Sequence, residues 1–154
     1  MDHANQNINS ANAAQALGAY SHARRVGDLL FLAGVGPRVR GSKQIPGAKV
    51  DAAGNLVDYD IEAEMRSCFE NVRTILEEAG SNWENIVDVT VFLTNMKRDW
   101  QTYNRVYSEY FPPGSSQPTR TTCEISALPQ GGDTSIHFEV KIIATVANPS
   151  PTAS

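Results

Sequence analysis

Two apolar stripes of helical period, on either side of one β-branched run, constrain this chain more than any other feature. Ile61, Met65, Cys68, Phe69, Val72, Ile75, Leu76 and Ala79 recur at three- and four-residue steps and so line one face of a helix. Asp60 is placed to cap its start and Gly80 to end it. A second, aromatic stripe runs from about Arg98 to Phe111 through Trp100, Tyr103, Tyr107 and Tyr110, and Pro112-Pro113-Gly114 stops it. Between the two lies Ile86 to Thr94, an alternating strand with Val87, Val89, Val91 and Leu93 on one face. Ile86, Asp88, Thr90 and Phe92 fall on the other. Asp28 to Ala33, bounded by Gly27 and Gly34, reads as a buried strand, and Thr119 to Ala127 and Ser135 to Val146 as two more. In the last, Ile136, Phe138, Val140 and Ile142 oppose His137, Glu139 and Lys141.

The order β, loop, α, β, α, β, β predicts an α+β fold: a single mixed sheet with two helices on one face. Such a monomer leaves apolar side chains on the other sheet face, and self-association through that face is the simplest remedy. At 154 residues the chain has the length of one domain. Residues 1–16 are expected to be a flexible lead, 17–147 the folded unit and 148–154 a disordered, proline-rich tail. Residues 35–58, punctuated by glycine and proline, read as a long loop with a short extended pair around Gly54. Loops of that length in compact domains are more often functional than decorative.

The net charge of −4 argues against the basic field of a nucleic-acid binder. No apolar run approaches the roughly 20 residues of a membrane span, and the opening residues lack the basic and apolar regions of a signal peptide. Cys68 and Cys123 form neither a disulfide framework nor a C-x-x-C pair. A reduced, cytoplasmic domain with no membrane and no nucleic-acid partner is the expectation. His3, His22 and His137 have no ligand spacing, so no metal site is expected. Gly34-Val35-Gly36 runs into Pro37 rather than a helix, which removes a phosphate loop. Cys68 sits on the first helix's apolar stripe as a core residue, and Cys123 should face away from Arg120 and Thr122.

Arg120 opens a strand directly after a proline-containing loop, with Thr122 and Glu124 on the same side. A guanidinium there can grip both oxygens of a carboxylate. The spacing alone fits an ordinary surface arginine, paired with Glu124 or another acid, better than a ligand-binding one.

The segments Gly18-Ala19-Tyr20, Gly27 to Gly34, Phe69-Glu70-Asn71-Val72 and Val89-Thr90-Val91-Phe92-Leu93 follow one another in a familiar order. Tyr103-Asn104-Arg105-Val106-Tyr107, Pro118-Thr119-Arg120, Leu128-Pro129 and Phe138-Glu139-Val140 continue it. Together, from about Leu17 to Val146, they resemble the RidA (YjgF) family of small imine deaminases. That resemblance implies a chorismate-mutase-like fold in which three subunits join their sheets into a trimeric barrel, with active sites in the clefts between subunits. It assigns substrate-carboxylate binding to Arg120 and water activation to Glu139. Tyr20, Gly34, Asn104 and Thr122 would line the cleft, although Asn104 fits a loop tie and Gly34 a simple turn as well. The chain departs from the family pattern at Ala19 (usually proline), Val35 (often glutamine) and Thr122 (usually cysteine), and its 35–58 segment is longer than in the commonest members.

Imine hydrolysis of this type needs no cofactor. Within the family the chain is similar to the 2-aminomuconate deaminases of aromatic-compound degradation. That likeness implies hydrolytic deamination of a small dicarboxylate, 2-aminomuconate, to 4-oxalocrotonate (2-oxohex-3-enedioate) and ammonia. Arg38 or Arg40 would then meet the distal carboxylate, with His22, Arg24 and Arg25 as competitors. The alternatives are general deamination of 2-iminobutanoate and 2-iminopropanoate, or a non-catalytic trimeric module that binds small acids.

Overall fold

The computed structural model describes residues 5–147; the expected tail at 148–154 lies outside them. The first helical stripe is α1 (Ile61–Glu78), whose first turn is capped by the Asp60 carboxylate accepting from the amides of Glu62 and Ala63. Gly80 ends it at a φ of 78°, a left-handed geometry that glycine adopts without cost. The aromatic stripe is α2 (Met96–Tyr110). The described residues also form eight strands: β1 (Asn5–Ile8), β2 (Ala23–Val26), β3 (Leu29–Leu32), β4 (Lys49–Val50), β5 (Leu56–Asp58), β6 (Ile86–Leu93), β7 (Thr119–Glu124) and β8 (Phe138–Thr145). β4 and β5 are the extended pair around Gly54.

Six strands form one sheet in the order β1-β2-β3-β8-β6-β7, antiparallel except for the parallel pair β6/β7. β8, last in sequence, lies between β3 and β6. Both helices connect strands running in the same direction, β3 to β6 and β6 to β7, so both fall on one side of the sheet. Phe69 of α1 is the hub of the layer between: its ring meets those of Trp83, Tyr110, Phe111 and Phe138 at centroid distances of 4.7 to 6.3 Å. The other sheet face is uncovered, and Phe31 and Leu29 on it are 37% and 40% exposed.

Two expectations change. β1 and β2 form an edge hairpin that the sequence leaves unassigned, β1 falling within the segment 1–16. Its residues are polar and carry no alternation, and what holds the segment is tertiary: the Ser10 amide donates to His22 Nδ1, and Ala11 and Asn12 donate to Glu78. Along β6, the register against β8 shifts between Ile86 and Asp88. That bulge inserts one residue and reverses the alternation before it. Ile86 is therefore buried and Val87 exposed, the opposite of their expected faces.

Phe69→Ala should destabilise the chain by about 3–5 kcal/mol, the cost of emptying an aromatic hub, read as a lower midpoint in urea denaturation.

Candidate active site

Arg120 stands on β7, the edge strand, paired in register with Val89 of β6. Val89 is fully buried on the helix side, and residues paired in parallel register point the same way. Arg120 therefore leaves the sheet edge toward α2. Its guanidinium lies 4.7 Å from the ring centroid of Tyr107 and 5.2 Å from that of Tyr103, and it donates to Asn104 Oδ1 at 3.2 Å. Two aromatic faces fix the plane of the fork and one amide oxygen its rotation. No carboxylate pairs with Arg120 among the described residues: Glu124 accepts from the Met96 amide instead. Asn104 is spent on this arginine and ties down no loop. Thr122 lies one alternation further along the same face, its hydroxyl 2.6 Å from that of Tyr103. Burial pushes both tyrosine phenols above their usual range, so they stay protonated.

Glu139 belongs to β8, between the buried Phe138 and Val140, and so projects from the opposite, uncovered face. It lines a cavity of about 200 Å³ with Tyr20, Gly34, Arg38 and Pro129. A Cβ at Gly34 would stand 2.8 Å from Glu139 Oε2, and Gly34 is not among the glycines of positive φ. Glycine here leaves room for the carboxylate, which a Cβ would push aside, and is not needed to permit a turn. Burial raises the Glu139 carboxyl above its ordinary range. Two residues along the same face, Lys141 donates to the Leu32 carbonyl, and burial pulls its ammonium below the usual lysine range.

The chain thus presents two half-sites. Arg120 and Glu139 are separated by two strand spacings and three residue steps, roughly 14 Å, and face opposite sides of the sheet. Arg120, Asn104 and Thr122 form one group, and Tyr20, Gly34, Arg38 and Glu139 the other.

Of the two loop arginines, only Arg38 lines the Glu139 cavity. Its Nη2 donates to the Gln15 carbonyl at 2.5 Å, and its stem passes over Gly131, where a Cβ would stand 3.0 Å from Arg38 Cγ. Arg40, expected as an equal candidate, is used elsewhere: it donates to the carbonyls of Ala13 and Ser10 and pins the N-terminal segment. Of the competitors, His22 is buried between the Ser10 amide and the Ala14 carbonyl, and Arg25 pairs with Asp28. Arg24 pairs in register with Phe31. Cys123 is paired with Phe92, away from Arg120, and Cys68 is buried with its thiol on the Val35 carbonyl. Tyr103 and Tyr107 read from sequence only as core aromatics. Their four-residue spacing showed a shared face, but only the β6/β7 register places Arg120 over them. Among the described residues no group of three or more His, Cys, Asp or Glu is arranged to hold a metal ion, and no helix is long and apolar enough to cross a membrane.

Comparison with known proteins matches residues 10–146 to the family described as endoribonuclease L-PSP. A 2-iminobutanoate/2-iminopropanoate deaminase of Bos taurus is 34% identical over 147 residues, 96% of this chain and 93% of that protein. The crystal structure of YyfA from Yersinia pestis, a protein of unknown function of the Rid family, is 33% identical with a TM-score of 0.73, covering 93% of this chain and all of that one. The structure of E. coli TdcF with bound serine is 26% identical with a TM-score of 0.76, covering 92% of this chain and 99% of that one.

In a ¹³C NMR titration without carboxylate ligands, Glu139 should show its midpoint above 4.5. Gly34→Ala, by driving the carboxylate out toward water, should return it toward that value.

Proposed function

The chain belongs to the RidA (YjgF) family, and from that premise we propose that it hydrolyses 2-imino acids to 2-oxo acids and ammonia. The observation that carries this reading is Arg120: an arginine held by Asn104 and two aromatic faces, with no acidic partner among the described residues, at the edge of the sheet. A guanidinium so fixed is prepared for a planar carboxylate. The bovine relative's name and the serine bound to TdcF support a small carboxylate ligand.

The reaction follows from the two half-sites. Arg120 anchors the substrate carboxylate, which aligns the imine carbon beside it. Glu139, its carboxyl raised by burial, accepts a proton from a water as the water oxygen bonds to that carbon. Glu139 returns that proton to the nitrogen, giving the carbinolamine, then takes the hydroxyl proton and passes it to the nitrogen as the C–N bond breaks, so that ammonia leaves and a carbonyl remains. One water enters and one ammonia departs, with no redox change. Burial makes Glu139 a stronger base than an ordinary carboxylate, which favours this step.

One chain cannot bring Arg120 and Glu139 to a single substrate, so the complete site forms between copies. We take the assembly to be a homotrimer in which the β7 edge of one subunit abuts the Tyr20–Glu139 cavity of the next. The uncovered sheet face supplies the apolar surface for that contact.

As substrates, 2-iminobutanoate and 2-iminopropanoate are the first choice, following the bovine relative. A dicarboxylate, 2-aminomuconate converted to 4-oxalocrotonate, is a second reading with its own support. Arg38 lies in the Glu139 cavity, and a neighbouring chamber of about 460 Å³ is lined by Arg38 and Lys43 and by one acid, Asp133, together with Gln15, Ser42 and Gln130. Two cations against one acid leave a net positive charge that suits a second carboxylate. Cleavage of RNA, the activity in the family's description, is less favoured because the net charge of −4 supplies no basic field for a phosphate backbone.

Ammonia release from freshly generated 2-iminobutanoate tests the activity. Arg120→Ala should lower kcat/KM by about 10²–10³-fold, the loss of a bidentate charged pair. Retention near wild type, or no ammonia from any imine, would leave a binding module. If the dicarboxylate is preferred, Arg38→Gln should reduce its kcat/KM about tenfold or more relative to 2-iminobutanoate.

A further inference from the structure

Glu64 has no exposed surface, yet it lies on the face of α1 that otherwise buries Ile61, Met65 and Cys68. A carboxylate withdrawn from water is costly unless hydrogen bonds replace its hydration. Its two oxygens accept three. Oε2 takes the His137 amide at 2.7 Å and the Phe138 amide at 3.1 Å, and Oε1 faces His137 Nδ1 at 2.8 Å. The His137 ring is stacked on Tyr59, with centroids 3.6 Å apart and planes within 2°. The Tyr59 hydroxyl donates at 2.7 Å to Asp99, itself buried in the first turn of α2. Arg98 lies over the Tyr59 ring at 3.9 Å and donates to the Tyr59 carbonyl. An ordered polar chain therefore runs from α2 through Tyr59 and His137 to Glu64.

That chain ends beside Glu139. Glu64 holds the Phe138 amide on one side, and on the other the amide and carbonyl of Val140 are paired with Val35 at 3.0 and 2.9 Å. The peptide that follows Glu139 is thus held by the bridge to Val35, and the peptide one residue before it, between His137 and Phe138, by a buried carboxylate. The carboxylate is the unusual member, because an apolar residue at 64 would satisfy the helix stripe better.

We propose that Glu64 is a positioning residue for Glu139: by binding the amides that open β8, it fixes the Glu139 carboxylate in the cavity beside Gly34 and Tyr20. The inference rests on the deaminase reading above.

A double-mutant cycle tests it. Glu64→Met keeps size and suits the apolar stripe but leaves the His137 and Phe138 amides without an acceptor. The expected result is a fall in kcat of about 10–100-fold, with KM and the inhibition constant of 2-oxobutanoate within about threefold, because carboxylate binding belongs to Arg120 on β7. In a Glu139→Gln background the same change should cost nothing further, since a residue acting through Glu139 has no effect once Glu139 is gone. Equal losses in both backgrounds would mark Glu64 as structural and overturn the proposal, as would unchanged kcat in Glu64→Met. If that variant does not fold, His137→Phe decides: it retains the stack on Tyr59 and the main-chain bonds but removes one donor. It should lower kcat several-fold, and wild-type kcat would overturn the proposal. Wild-type turnover by Glu139→Gln alone would instead remove the water-activating role of Glu139, and with it the reading beneath the proposal.

Discussion

β8 is the strand on which the rest of the molecule depends, because it fills the gap between β3 and β6 that the first half of the chain leaves open. Its inner residues Phe138, Val140, Ile142 and Ala144 are fully buried against the helices, while Glu139 and Lys141 occupy the outer face between them. Core and chemistry are thus interleaved along one strand with a period of two. A slip of one residue would send Glu139 into the core and Phe138 into the cavity. The register is correspondingly over-determined: Val35 pairs with Val140, β6 pairs along the whole strand, and Glu64 grips the two amides that open it.

The two half-sites solve different electrostatic problems. Arg120 keeps its charge at an exposed edge and is held by aromatic faces and an amide oxygen, neither of which neutralises it. An acidic partner there would compete with a carboxylate ligand. The outer surfaces of α1 and α2 show the contrast: Arg66 and Arg105 share Glu62 and Glu109 in a surface network that offers no free cation. Glu139, by comparison, gains basicity from burial alone. Separating the cation from the base by the thickness of the sheet keeps them from neutralising each other within one chain.

Much of this was legible in the residues. Periodicity located both helices, the strands of the second half and the uncovered sheet face, and residue type marked the Asp60 cap and the Gly80 end of α1, but not the Asn95 cap of α2. The family resemblance pointed to Arg120 and Glu139. Other parts were not legible for physical reasons. β1 is polar and short, and its place depends on His22 and Glu78, remote in sequence. The bulge in β6 follows from pairing with β8, which no local pattern encodes. Arg38 and Arg40, two residues apart in one loop, look alike until the loop folds. One then lines a cavity and the other binds main-chain carbonyls. Glu64 did leave a signal, an acid within an apolar stripe. Its meaning required knowing that the amides of 137 and 138 arrive opposite it.

The sequence by itself therefore determined which segments are helix and strand, which faces are apolar, and which residue types are available for carboxylate chemistry, because those properties are local and periodic. Only the tertiary structure decided that Arg120 and Glu139 lie on opposite faces of the sheet, that Gly34 makes room for a carboxylate, and that Arg38 rather than Arg40 meets the cavity. Those outcomes depend on register and on contacts between segments far apart in the chain, and no local pattern carries the energy of such contacts.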